Sequence, residues 1–202
     1  MKTLFFGVPV MLVLAATPAR AITIGIDPAA QQVALGSSVT VSLVIADLGD
    51  GVAPSLSAFE VDLTFDDGVL SFVGATFGDP VLGDQLDLTG FGPATGLTAV
   101  PGLVSLFELS LDPSSALDDL QAGAFVLATL TFDAQSSGIS ALGLSILSLG
   151  DADGGPLTAD VLAGSITVQS TDAVVAEPAS LLLLLSGLGG FASARRWRSL
   201  SS

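Results

Sequence analysis

From Phe59 to Phe65 apolar and polar residues alternate without a fault, with Phe59, Val61, Leu63 and Phe65 in one phase and Glu60, Asp62 and Thr64 in the other. Successive side chains of a strand point to opposite faces, so this stretch predicts a half-buried β-strand with its carboxylates in solvent. The same period recurs at Ile22, Ile24 and Ile26, and again at Val39, Val41, Leu43 and Ile45, where Gly36 and Ser37 supply the turn beforehand. Residues 103–111, 124–132, 142–147 and 165–168 fit further strands, separated by Gly, Pro, Asp and Ser clusters. One short helix is predicted, with Asp112 as N-cap, Pro113 as first helical residue, Leu117 and Leu120 as its apolar face and Gly123 as its stop. Many short strands and a single short helix predict an all-β sandwich in which each sheet buries one face.

The two ends follow a different pattern. Lys2 precedes an apolar run over residues 4–16, and Ala19 and Ala21 then provide the small-x-small pattern of a signal-peptidase site. Residues 1–21 therefore read as a secretory signal cleaved after Ala21, the run being too short for a membrane anchor of about 20 apolar residues. Residues 22–170 form the expected domain, 171–175 a linker, 176–198 a second membrane-handling segment and 199–202 a tail. In that segment Pro178 opens an apolar helix rich in Leu, Gly and Ser, a little short of the usual span of about 20 residues, and Arg195, Arg196 and Arg198 hold its end on the cytoplasmic side.

Charge sharpens this division. All five basic residues lie in the terminal segments, and no Lys, Arg or His occurs between Ile22 and Val175. Of the 20 acidic residues only Glu177 falls outside that middle stretch. Nucleic acid is thereby excluded as a partner, since phosphate binding requires Lys or Arg to displace counterions. The absence of Cys removes disulfides, a lipid-modified Cys at the signal site, thiolate metal ligands and a Cys nucleophile. With no His either, a Ser-His-Asp triad is impossible. Asp66 and Asp67 are neighbours in a turn and cannot face each other across a glycosidic bond at the roughly 5 to 9 Å that hydrolysis needs. The chain does not read as an enzyme.

Two stretches invite a cation or a sugar. Asp151 and Asp153 in Asp-Ala-Asp-Gly-Gly resemble the start of a carboxylate loop for calcium, yet the third acidic ligand and bidentate Glu of an EF-hand do not follow. Asp-Gly is also a hairpin turn signal, and the turn is the preferred reading here and at Asp66, Asp67 and Gly68. Sugar platforms stack the ring on exposed aromatic side chains, and the middle of the chain has no Trp or Tyr, leaving Phe77 and Phe91 as candidates beside ordinary loop packing.

Two resemblances follow from the motifs. Glu177, Pro178, Ala179, Ser180 and the leucines after them, with a Gly-containing helix and the Arg195, Arg196 and Arg198 cluster, resemble the PEP-CTERM sorting signal. Its members are handled by exosortases, membrane-embedded cysteine proteases of Gram-negative bacteria often found with exopolysaccharide production. The resemblance implies a processing tag that contacts the membrane transiently, with Ala176 standing where the family has the first Pro of its Pro-Glu-Pro signature.

Within residues 22–168, Leu63-Thr64-Phe65-Asp66 followed by Val69-Leu70-Ser71-Phe72 resembles the Leu-x-Tyr-Asp and Val-Leu-x-Phe of cohesin-type domains, with Phe65 in the Tyr place. Residues 36–41 and 127–132 continue the likeness. It implies a jelly-roll sandwich of about nine strands, similar in shape to some carbohydrate-binding modules. It also implies a dockerin-like protein partner, which cohesins grip through one flat sheet face. The expected function is a non-catalytic adhesion or scaffolding module of the cell envelope or extracellular matrix. A dockerin-binding or polysaccharide-binding module is the alternative. No cofactor is required by this reading, calcium being the only one the residues suggest.

Overall fold

The computed structural model describes residues 21–170. The signal segment and the expected sorting segment, including Ala19, Ala176, Glu177, Pro178 and the three arginines, lie outside the described residues. The chain divides into two units after Gln169, and the sandwich belongs to the first.

Eleven strands and one helix follow in order: β1 Ile22–Asp27, β2 Ala30–Ala34, β3 Ser38–Ala46, β4 Leu56–Thr64, β5 Leu70–Phe77, β6 Ala94–Val100, β7 Leu103–Leu109, α1 Ser114–Leu120, β8 Phe125–Ala134, β9 Gly138–Asp151, β10 Ala159–Leu162 and β11 Gly164–Gln169. They form a five-stranded sheet, β10-β1-β3-β8-β5, and a six-stranded sheet, β2-β11-β9-β4-β7-β6. β1 with β10 and β2 with β11 run parallel, and the remaining pairs are antiparallel. All seven strands predicted from periodicity are present, and the sandwich is the predicted architecture. The resemblance implied about nine strands. The structure has two more, and among its strands β2, β6 and β10 lie at sheet edges and bury no residue fully, which leaves them little apolar alternation to show.

The inward phase of the alternation makes the core. Ile24, Leu43, Ile45, Phe59, Val61, Leu63, Leu106, Leu130 and Phe132 are fully buried between the sheets. Phe132 stands at the centre of an aromatic cluster, edge to face with Phe65 at 5.1 Å and with Phe72 at 5.6 Å between ring centroids. Phe65, the residue in the Tyr place of the cohesin-like motif, is thus a packing residue. Asp66 beside it makes a turn, its Oδ1 accepting the Gly68 N–H at 2.9 Å while its carbonyl accepts from Val69 and Leu70.

The helix departs from its predicted cap. Pro113, extended at φ −61° and ψ 144°, occupies the N-cap position and the helix begins at Ser114. Asp112 instead turns its carboxylate to the preceding long loop, where it accepts the N–H groups of Leu88 and Thr89 and the Thr89 hydroxyl. Leu117 is buried as predicted, but Leu120 is exposed, because a helix of two turns covers the sandwich edge with only one side chain of its face.

Candidate functional site

Alternation that buries one phase of a strand exposes the other, and on the six-stranded sheet the exposed phase forms an outer face. Register fixes its rows. Gly96, Phe107, Glu60 and Ser148 lie side by side across β6, β7, β4 and β9, with Ala94, Leu109, Ala58 and Gly150 in one neighbouring row and Thr98, Ser105, Asp62 and Ser145 in the other. Phe107 is 37% exposed and Leu109 38%, and Val100 at the sheet edge is 51% exposed. The strand neighbours of Phe107 on this face are Gly96, which has no side chain, and Glu60, which is exposed. An aromatic ring therefore stands on a floor of small residues beside two carboxylates, Glu60 and Asp62. Asp62 is held in place by the Ser105 hydroxyl, which donates to its Oδ1 at 2.5 Å. β4 and β9 approach closely here, and a Cβ on Gly143 would stand 2.5 Å from Thr64 Oγ1.

The opposite sheet presents a different surface. Its outward rows carry Thr40 and Thr131, then Ser42, Thr129 and Thr76, which are polar, and further along Leu162, Gly25, Val44 and Val126, which are apolar or lack a side chain. Both outer faces thus expose apolar side chains, Leu162 at 55% on this one, and what distinguishes the six-stranded face is the exposed aromatic ring of Phe107.

At one end of the sandwich the loop over residues 78–93 folds onto β7 and α1. Its aspartates organise it: Asp79 Oδ1 accepts from Val81 and Leu82 at 2.7 and 2.8 Å and its Oδ2 from Val126 at 3.0 Å. Desolvation acts to raise the Asp79 pKa, but these three N–H groups outweigh it and hold the carboxyl below its ordinary value. Gln121, fully buried, donates to the carbonyls of Leu56 and Gln85 at 2.9 Å each and accepts the Leu56 N–H at 2.6 Å. Gln85 in turn accepts the Ala122 N–H at 3.0 Å.

Glu108 breaks this pattern of satisfied polar groups. It occupies the inward phase of β7 after Val104 and Leu106, it is 0% exposed, and neither carboxyl oxygen meets a hydrogen-bond donor. Burial raises its pKa to about 9, with the facing carboxylates of Asp84 and Asp87 adding to the effect. Asp84 is within hydrogen-bonding range, but two carboxylates offer only acceptors to each other until one carries a proton. Glu108 is not among the site residues expected from the sequence, although a Glu in phase with Val104 and Leu106 is a legible signal of a buried acid.

The other candidates take these places. Asp151 Oδ1 accepts the N–H groups of Asp153 at 3.0 Å and Gly155 at 2.6 Å, and the Gly154 N–H meets the Asp151 carbonyl in a tight turn with Gly154 at φ 82°. Asp153 is exposed. Among the described residues no three carboxylates converge on one point to hold a metal. Phe77 packs against Phe59 at 6.3 Å between centroids, whereas Phe91 is exposed near the end of the long loop, just before β6. An open groove of about 360 Å³, lined in part by Phe65, Phe72, Val100, Pro101 and Gln135, crosses the end of the sandwich.

No family model matches the chain, and no curated protein matches it in sequence. Solved structures do match. A type I cohesin of Clostridium thermocellum, determined in a cohesin–dockerin complex, superposes with a TM-score of 0.59 at 14% identity, covering 74% of this chain and 100% of that one. The sandwich has the cohesin fold. The sixth cohesin of Acetivibrio cellulolyticus scaffoldin B, solved with a dockerin, gives 0.58 at 20% identity over 74% of this chain and 100% of that one. A non-cellulosomal cohesin from the archaeon Archaeoglobus fulgidus gives 0.55 at 17%, over 76% and 94%.

Proposed function

We propose that this chain is an exported, non-catalytic scaffolding module that docks a protein partner on the outer face of its six-stranded sheet. The observation that carries the reading is Phe107, an aromatic side chain left in the open on an outer sheet face beside Glu60 and Asp62. Interfaces draw their energy from a few such anchors surrounded by near-neutral contacts. The partner's matching surface is an apolar pocket flanked by Lys or Arg, because residues 22–175 carry no positive charge of their own and like charges exclude acidic partners. Cohesins solved with dockerins supply the precedent of a sandwich of this fold used for docking.

Delivery belongs to the ends of the chain. The signal with Ala19 and Ala21 directs export. The segment with Ala176, Glu177, Pro178, Arg195, Arg196 and Arg198 is a sorting tag removed by an exosortase of a Gram-negative envelope. Deleting the exosortase of the host leaves the uncut form in the membrane fraction, and an unchanged C-terminal mass contradicts the tag. Polysaccharide binding is the weaker reading, since Phe91 stands alone where stacking platforms use several aromatic rings.

The docking face is tested by capturing partners from the secreted fraction of the native host with wild-type, Phe107→Asp and Thr131→Asp baits, followed by mass spectrometry. A protein retained by wild type and Thr131→Asp but lost with Phe107→Asp supports the face. Retention by all three baits, or capture of polysaccharide without protein, contradicts it.

A further inference from the structure

Glu108 requires an explanation that packing does not supply. Both of its oxygens are buried without a donor, and they are the only buried side-chain oxygens or nitrogens so placed among the described residues. A buried acid that faces other carboxylates and has no base beside it stays folded only by holding a proton or a cation, and every other buried polar side chain around the long loop is satisfied by backbone partners. Its strand neighbours are Phe59 on β4, which has no donor, and Thr95 on the edge strand β6, whose hydroxyl does not bond it. Across from it stands Asp84, with Asp87 nearby, and no Lys, Arg or His exists between residues 22 and 175 to neutralise them.

The loop holds these two aspartates in a particular way. Asp84 accepts the Leu86 N–H on Oδ1 at 2.9 Å, and Asp87 accepts the Gly92 N–H on Oδ1 at 2.9 Å. Each thus fixes its orientation with one oxygen and keeps Oδ2 free of backbone donors. The loop itself is tied to the sandwich through Asp79, Gln85 and Asp112, so Asp84 is presented to Glu108 by a braced segment.

We propose that Glu108 and Asp84 form a divalent-cation site, selective for calcium, that joins the loop over residues 78–93 to the inner face of β7, with Asp87 adding negative charge from its side. The donor set is oxygen only, which excludes the soft-ligand metals and favours a hard cation. Calcium fits better than magnesium because it tolerates irregular geometry and completes its shell with carbonyl oxygens and water, whereas magnesium demands a near-ideal octahedron. Two protein carboxylates place the affinity with extracellular modules, at a dissociation constant of about 10⁻⁴ to 10⁻³ M, suited to an exported protein. The site is separate from the Asp151 turn, whose carboxylate is already committed to two backbone N–H groups.

The test is thermal unfolding of the full chain after chelator treatment, with millimolar calcium chloride added against sodium chloride of equal ionic strength. Calcium raises the wild-type midpoint by several degrees beyond the sodium control, and calorimetric titration shows one ion per chain. Glu108→Gln, isosteric and uncharged, loses the calcium-specific rise while unfolding without calcium at or above the wild-type midpoint. Asp84→Asn loses the rise as well and serves if the first variant folds poorly. Asp153→Asn keeps it. No rise in wild type, an equal rise in wild type and Glu108→Gln, or loss of the rise with Asp153→Asn alone would each overturn the proposal.

Discussion

Glu108 and Gln121 lie at one end of the same sandwich, and a buried polar residue behaves according to its partners. Gln121 satisfies three backbone groups at once, so Gln121→Ala leaves the Leu56 N–H, the Leu56 carbonyl and the Gln85 carbonyl bare. At about 1–3 kcal/mol for each unsatisfied group, partly relieved by entering water, the variant loses about 3 kcal/mol in urea denaturation. Glu108 has the opposite character. Its folded-state pKa is raised to about 9 from 4.5, so in chelator the folded protein holds a proton that the unfolded chain has lost. The proton-count difference makes that stability complete below pH 4.5, declining as pH rises and gone above about pH 9, by at most about 1.4 kcal/mol per pH unit. Urea midpoints measured from pH 5 to 9 in chelator fall for wild type, and Glu108→Gln removes that component of the fall. An identical slope in both proteins contradicts the assignment.

At the scale of elements, strands that face the second sheet announced themselves and strands at the edges did not. β4, β3 and β1 bury one phase completely, so their alternation reached the sequence intact. β6 buries no residue and its composition, Ala-Thr-Gly-Leu-Thr-Ala-Val, carries no phase to detect. β9 runs for 14 residues, of which periodicity caught six, because the bulge opposite Glu60 and Val61 inserts Leu147 and shifts the phase. The proposed docking face was not legible for a related reason: Phe107 lies on the outward phase of β7, and only the register places it beside Gly96 and Glu60. The anchor role of Phe107 predicts that Phe107→Ala weakens the captured partner by about 2 kcal/mol or more, some thirtyfold in dissociation constant, with the unfolding midpoint little changed. Titration calorimetry with the identified partner checks it, and a loss below threefold contradicts it.

The whole molecule is governed by its one-sided charge. The sandwich carries carboxylates with no basic residue to offset them, so self-repulsion opposes the folded state wherever salt does not screen it. The screening length falls from about 30 Å at 0.01 M to about 8 Å at 0.15 M salt. Raising sodium chloride over that range therefore raises the unfolding midpoint of wild type and of Glu108→Gln alike. This general response is distinct from the calcium-specific one. For the docking proposed above, the same charge favours a basic partner over an acidic one.

Docking of a protein on the six-stranded face, as proposed, rests on Phe107. Its most direct measurement is the side-by-side capture from the secreted fraction of the host with the Phe107→Asp and Thr131→Asp baits, each verified as folded by its unfolding transition. The expected result is a single set of proteins rich in Lys or Arg at the contact, present with wild type and Thr131→Asp and absent with Phe107→Asp. Undiminished capture by Phe107→Asp contradicts the claim.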